Sequence, residues 1–171
     1  MSKELTSYER IKAAIEHREG DRIPFDLGGS TLTGINKKAY VNLRKYLGLP
    51  VDEKNVVIDD VMQQLALVED DVREILKCDV RSVMPNPSLK SPLVTPIHVE
   101  GEDYKFTDEW GLGWRMPIDG GLYFDMYKAP LQDAESVEDF EKFPWNDPAD
   151  PVRFEPLKEG ADKVVFEEKT A

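Results

Sequence analysis

The chain has 171 residues, 34 acidic against 22 basic, and a net charge of −12. That balance repels phosphate backbones and anionic lipid, so nucleic acid and membrane surfaces are not expected partners. No apolar run approaches the roughly 20 residues of a membrane span, the N-terminus lacks the apolar core of a signal peptide, and the single cysteine, Cys78, excludes an internal disulfide, so a cytoplasmic protein of one domain is expected.

Thr6 to His17 reads as an amphipathic helix, with Thr6 and Glu9 as a capping box and Tyr8, Ile11 and Ile15 on one face. Gly20 is placed to end it in the left-handed conformation. Ile23, Phe25 and Leu27 alternate with Pro24 and Asp26, the pattern of a short strand, and Gly28 and Gly29 follow where an α/β protein places its ligand. Asn36 caps a second helix with a buried stripe of Ala39, Tyr40, Leu43 and Leu47 and a basic outer face of Lys37, Lys38, Arg44 and Lys45. Val56 to Ile58 is β-prone, and Asp59 or Asp60 is expected to cap a helix through Val61, Leu65 and Val68. Glu69, Asp70 and Asp71 open another helix, where their charge suits the helix dipole. Val72, Ile75 and Leu76 form its apolar side. Asp79 leads into Val80–Met84, a second strand of the Ile23–Leu27 kind, so Asn86 falls at a strand's carboxyl end, where a polar side chain faces a pocket.

From Leu93 to Tyr127 the pattern becomes an antiparallel meander with strands at Ile97–Glu100, Tyr104–Thr107, Leu112–Met116 and Leu122–Tyr127. It carries Tyr104, Phe106, Trp110, Trp114, Tyr123, Phe124 and Tyr127. Such a cluster lines a pocket, covers a barrel mouth, forms a subunit contact or makes a small core. Ser136 caps a short helix, and Asp150 or Glu155 starts a last one with Leu157, Ala161, Val164 and Val165 on one face, weakened by Gly160. His17, Cys78 and His98 stand far apart, without the close ligand pairs of a zinc site, so no complete metal site is expected within the chain.

Taken in order, SYERIKAAIEHREGDRIPFDLGG, AYVNLRKYLGL, VMQQLA, CDVRSVMP, DEWGLGWRMP, APL and FPWNDPADPVRF resemble the N-terminal half of the uroporphyrinogen decarboxylase superfamily, in its branch related to corrinoid-dependent methyltransferases. The resemblance implies an α/β fold, the N-terminal part of a TIM-type (β/α)8 barrel with an inserted antiparallel β-meander. It implies a partial barrel domain over 1–171: N-terminal helices and first barrel strands over 1–92, the meander over 93–131 and a helical segment over 132–171. For a complete methyltransferase relative it implies zinc and a corrinoid protein. The zinc site, a His-x-Cys with a distant Cys, would belong to a C-terminal half, so the chain reads as a fragment, a truncated product or half of a split protein, not catalytically complete alone. Self-association or a partner chain completing the barrel is then expected.

Two departures separate it from porphyrinogen decarboxylases. Gly28-Gly29-Ser30 stands where their arginine-rich signature lies, and Asn86 stands where they carry a catalytic aspartate; an amide cannot act as that carboxylate. The pocket candidates are Gly28, Gly29, Asn86, Arg81 and Trp110, with a small molecule or a corrinoid protein as partner. A decarboxylase reading would need Arg22 and Arg81 to bind carboxylates. A non-enzymatic binding or assembly module would use the aromatic meander around Trp110 and Trp114.

Overall fold

The structure, a computed structural model, describes residues 4–88 and 91–167. The expected domain bounds also take in residues 1–3, 89–90 and 168–171, which lie outside the described residues. The chain divides into two compact units. One comprises Met1–Asp60, Gln64–Met84 and Pro156–Ala171, the other Val61–Gln63 and Pro85–Glu155.

In the first unit, α1 (Ser7–Ile15) begins at a complete capping box between Thr6 and Glu9. Its face differs from the expected one. Tyr8 and Ile15 are exposed, while Arg10 and Ala13 are buried. The left-handed residue after the helix is His17, at φ 54°, rather than Gly20. Helix α2 (Lys37–Tyr46) starts at Asn36, whose side chain accepts a hydrogen bond from the Lys38 N–H at 3.0 Å. Tyr40 and Val41 are buried as core residues, and so is Arg44, placed by periodicity on the outer face.

Arg44 is inside because the next helix brings it partners. In α3 (Asp70–Leu76), Asp71 accepts both Arg44 Nη groups, at 2.9 and 2.8 Å, and Glu69 accepts Nη1 at 2.7 Å. The Pro50 carbonyl accepts Arg44 Nε at 2.9 Å. The acidic start of α3 therefore serves an ion-pair cluster, and Glu69 makes no side-chain cap. The guanidinium holds the Asp71 carboxyl below the usual range. Tyr40, Ala66, Val68 and Val72 form the core beneath it, with Leu27, Leu43, Val56 and Leu76 packed around them.

The expected helix over 59–68 does not form. Strand β1 (Ile58–Asp60) pairs antiparallel with β2 (Leu65–Ala66), closed by Gln64 at φ 54°. The Ile35 carbonyl accepts the Ala66 N–H at 2.9 Å and the Gln64 carbonyl accepts the Lys37 N–H at 2.9 Å, fixing this hairpin against the entry to α2.

The expectation of a partial TIM-type barrel is overturned. Both sheets among the described residues are antiparallel, none closes, and neither Ile23–Leu27 nor Val80–Met84 is a strand. The reason lies in where their backbone groups go. One backbone hydrogen bond joins the two segments, from Asp79 N–H to the Phe25 carbonyl at 2.8 Å. Pro24 has no N–H to offer. The Phe25 N–H donates to the Asp79 carboxylate at 2.9 Å instead of to a ladder.

That carboxylate is fully buried and gathers three stretches of chain. Arg10 Nη1 donates to it, as do Arg22 Nη1 at 2.7 Å and Nη2 at 2.9 Å and the Ser7 hydroxyl at 2.8 Å. Arg10 also holds Asp21, through Nε at 2.7 Å and Nη2 at 2.8 Å. Burial alone pushes the Asp79 carboxyl up; its hydrogen bonds from Arg22, Phe25, Ser7 and Arg10 outweigh that and hold it below the usual range. Asp21 is likewise held low by Arg10 and the Leu5 N–H.

In the second unit the expected meander is present. Strands β3 (Thr95–Glu100), β4 (Asp103–Thr107), β5 (Gly113–Pro117) and β6 (Asp125–Lys128) pair in sequence order. The register opposes Val99 to Tyr104, Phe106 to Trp114 and Trp114 to Met126, which puts those side chains on one face. Phe106 meets the buried Phe124 edge to face, with ring centres 4.9 Å apart. Helix α4 (Val137–Lys142) has a capping box between Ser136 and Asp139. Helix α5 (Glu155–Asp162), which belongs to the first unit from Pro156 on, continues as a π-helical turn, Lys163–Glu167. Among the described residues no helix is long and apolar enough to cross a membrane.

Removing the buried acceptor leaves Arg10 with Asp21 and the Leu5 carbonyl, leaves Arg22 with backbone carbonyls alone, and opens a polar hole between them. Asp79→Ala is expected to destabilise the first unit by about 3–5 kcal/mol, measured by urea unfolding. Because the Asp79, Asp21 and Asp71 pKa values are lowered on folding, their contribution is complete above the unfolded carboxyl value of about 4 and fades as pH falls through the folded values. Urea midpoints of the wild type are therefore expected to be level between about pH 5 and 7 and to fall below about pH 4; a midpoint that rises on acidification contradicts this assignment.

Candidate functional site

The first unit contains an open cavity of about 730 Å³, within the range of small-molecule sites. Its wall is built from three pieces: Leu67 to Arg73 around the start of α3, Arg81 to Met84 beyond the Asp79 cluster, and Pro156, Gly160, Lys163 and Val164 from α5 and its π-helical turn. Asp59 of β1 completes it. Gly160 allows the close approach of α5 to the Ser82–Met84 segment, since a Cβ there would lie 2.9 Å from Val83 Cγ1. The glycine that weakens this helix in a sequence reading thus has a packing role.

Charge is distributed unevenly over this wall. Asp59 and Asp70 are exposed, and Glu69 is engaged by Arg44 and Tyr40. Arg73 is only 7% exposed, and its Nε donates to the Val68 carbonyl at 2.7 Å. Arg81 lies with Nη2 3.8 Å from Asp70 Oδ1. The direction of Arg81, left open by strand alternation, is toward this cavity. Cys78 is buried, and burial pushes its thiol up, away from the reactive thiolate.

The other candidates are distributed as follows. Gly28 adopts φ 78°, and a Cβ on it would stand 2.8 Å from Val68 Cγ2 and 3.9 Å from Arg73 Nη2. It therefore sits behind two cavity-lining residues. The space beside Gly29 is filled by Asp26 and Val80, and its N–H donates to Asp26 Oδ1 at 2.8 Å. Asn86 belongs to the second unit, where its Nδ2 donates to the Val152 carbonyl at 2.9 Å and its N–H to that of Arg153 at 3.0 Å. Trp110 belongs there too, with the Arg153 guanidinium 5.7 Å from its ring centre.

The DEWG stretch around Trp110 organises a loop. Asp108 Oδ1 accepts the Trp110 and Leu112 N–H groups at 2.9 and 3.0 Å, and its Oδ2 accepts Trp114 Nε1 at 2.9 Å. Glu109 pairs with Arg153 at 2.7 Å and accepts the Ser88 N–H. Arg22, the cation a polycarboxylate ligand would need, is engaged by Asp79 and by the Lys77 carbonyl at 3.0 Å.

Sequence reasoning did not find Arg73 or the role of Asp79. The available signal was a charged residue beside an apolar helix face, next to Val72, and an aspartate between Cys78 and Val80 in a chain with Arg10 and Arg22 upstream. Among the described residues no group of three or more His, Cys, Asp or Glu is placed to hold a metal ion. Comparison of the chain with protein-family models, with curated proteins and with solved structures finds no match.

Gly28→Ala forces a left-handed backbone on a side chain and drives it into Val68. The substitution is expected to cost about 1–3 kcal/mol, read from the urea midpoint; an unchanged midpoint would mean that this turn relaxes freely.

Proposed function

We propose that this chain is the small-molecule-binding portion of an enzyme related to the corrinoid-linked methyltransferases of the uroporphyrinogen decarboxylase superfamily, acting in the cytoplasm and completed catalytically by residues outside those described. The ordered motifs support the relation, and the observation that carries the binding role is the cavity of about 730 Å³ beneath the CDVRSVMP stretch, with Arg81, Ser82, Val83 and Met84 in its wall. Its apolar residues offer a surface for a ligand's body, and its buried cation orients a polar end. The chain's own residues bind and position; the transferred group and its activation come from elsewhere.

Porphyrinogen decarboxylation is the weaker reading. Several carboxylates need several available cations, and Arg22 is already engaged by Asp79. The Asn86 amide is engaged by the Val152 carbonyl. For an assembly module working through the meander, Trp110 would be the contact, yet its ring lies beside Arg153 in the loop that Asp108 organises.

The reading is tested in an extract of the native source depleted of this chain with an antibody. Demethylation of methylcobalamin by a small thiol is followed by absorbance. Adding back the purified chain is expected to restore transfer. Adding back Met84→Trp, which sets an indole at the exposed rim of the cavity, is expected to restore about tenfold less or lower still. Equal restoration by both proteins would remove the cavity from the reaction, and uroporphyrinogen turnover in place of demethylation would favour the decarboxylase.

A further inference from the structure

We propose that Arg73 is the anion-recognising group of this cavity, and that the cavity takes its ligand through a single carboxylate with an apolar body against Val68, Val83 and Val164. The inference rests on reading this cavity as a binding site and names the ligand class it selects.

Three observations carry it. Arg73 is more than nine-tenths buried, yet among the described residues its Nη groups have no acceptor, and its one hydrogen bond runs from Nε to the Val68 carbonyl. No fully enclosed side-chain nitrogen or oxygen among the described residues lacks a partner, so both Nη groups keep accessible surface, and Arg73 is one of the residues that line the cavity. A buried charge without a counter-ion is costly, and a ligand anion relieves that cost.

The geometry selects the class of anion. The Nε contact fixes the plane of the guanidinium and leaves the Nη pair as the presented edge, a fork that matches the two oxygens of a carboxylate. Asp59, Glu69 and Asp70 line the same cavity as Arg81 and Lys163, so beside Arg73 the wall offers no surplus of positive charge to a doubly charged phosphate. Val68, Val83 and Val164 supply the apolar wall, and Gly28 leaves Arg73 Nη2 room on its far side.

The test uses the full chain with ¹⁵N-labelled arginine at constant ionic strength. Acetate, butyrate, phosphate and ethylammonium are titrated separately while the Arg73 side-chain signals are followed. Acetate and butyrate are expected to shift them saturably, with butyrate severalfold tighter, phosphate weaker and ethylammonium without effect. Arg73→Gln is expected to weaken butyrate binding by about tenfold or more. Should that variant lose its fold, Asp70→Asn at the exposed rim keeps the proposal testable, with butyrate binding expected to tighten about twofold. Unmoved Arg73 signals, tighter binding of phosphate than of butyrate, unchanged binding by Arg73→Gln, or looser binding by Asp70→Asn would each overturn it. Failure of methyl transfer alongside intact butyrate binding would overturn the enzymatic reading and leave this assignment standing.

Discussion

Most of the first unit depends on one buried carboxylate. Asp79 accepts from Arg10, Arg22, Ser7 and the Phe25 backbone, so a single side chain ties α1, the turn after it and the segment leading to the cavity. Two positive groups around one acceptor would leave an excess of buried charge, and Asp21 offsets it by pairing with Arg10. The arrangement is cooperative in the physical sense. Each cation is positioned by a carboxylate that the other helps to desolvate.

The same device recurs twice. Arg44 joins α2 to α3 through Asp71 and Glu69, and in the second unit Arg153 reaches the Glu109–Trp110 loop. In each case an arginine fork bridges two stretches of chain that are separate in sequence. The core centred on Tyr40, Ala66, Val68 and Val72 is modest, so ionic fixtures carry much of the positional accuracy. Arg73 stands apart because its fork has no such counter-ion among the described residues.

Local features were legible in the sequence. The Thr6–Glu9 capping box, the helix starts at Asn36 and Ser136 and the meander follow from short-range rules, and all are present. What was not legible depends on partners distant in the chain. Alternation at Ile23–Leu27 predicts a strand, but the Phe25 N–H is claimed by a carboxylate 54 residues away. Periodicity puts Arg44 outside, and Asp71, 27 residues on, draws it in. The helix expected over 59–68 yields to a hairpin because Ile35 and Lys37 pair with Ala66 and Gln64. Of the site, Arg81 was visible as a candidate, whereas Arg73 was hidden on a helix whose neighbours gave no hint of a cavity. Asn86 and Trp110 were singled out by position and fall in the other unit, engaged by Val152 and Arg153.

The reach of the Asp79 cluster has a kinetic consequence. Its hydrogen bonds span 72 residues to Ser7, 69 to Arg10, 57 to Arg22 and 54 to Phe25. Closing loops of that length is entropically costly before any of the bonds exist, so the cluster forms late, after the local helices and the hairpin. Interactions that form after the barrier act on the return journey: they slow unfolding and leave the folding rate nearly unchanged. The buried carboxylate is then a latch on the lifetime of the folded first unit, set by how rarely four distant groups release it together.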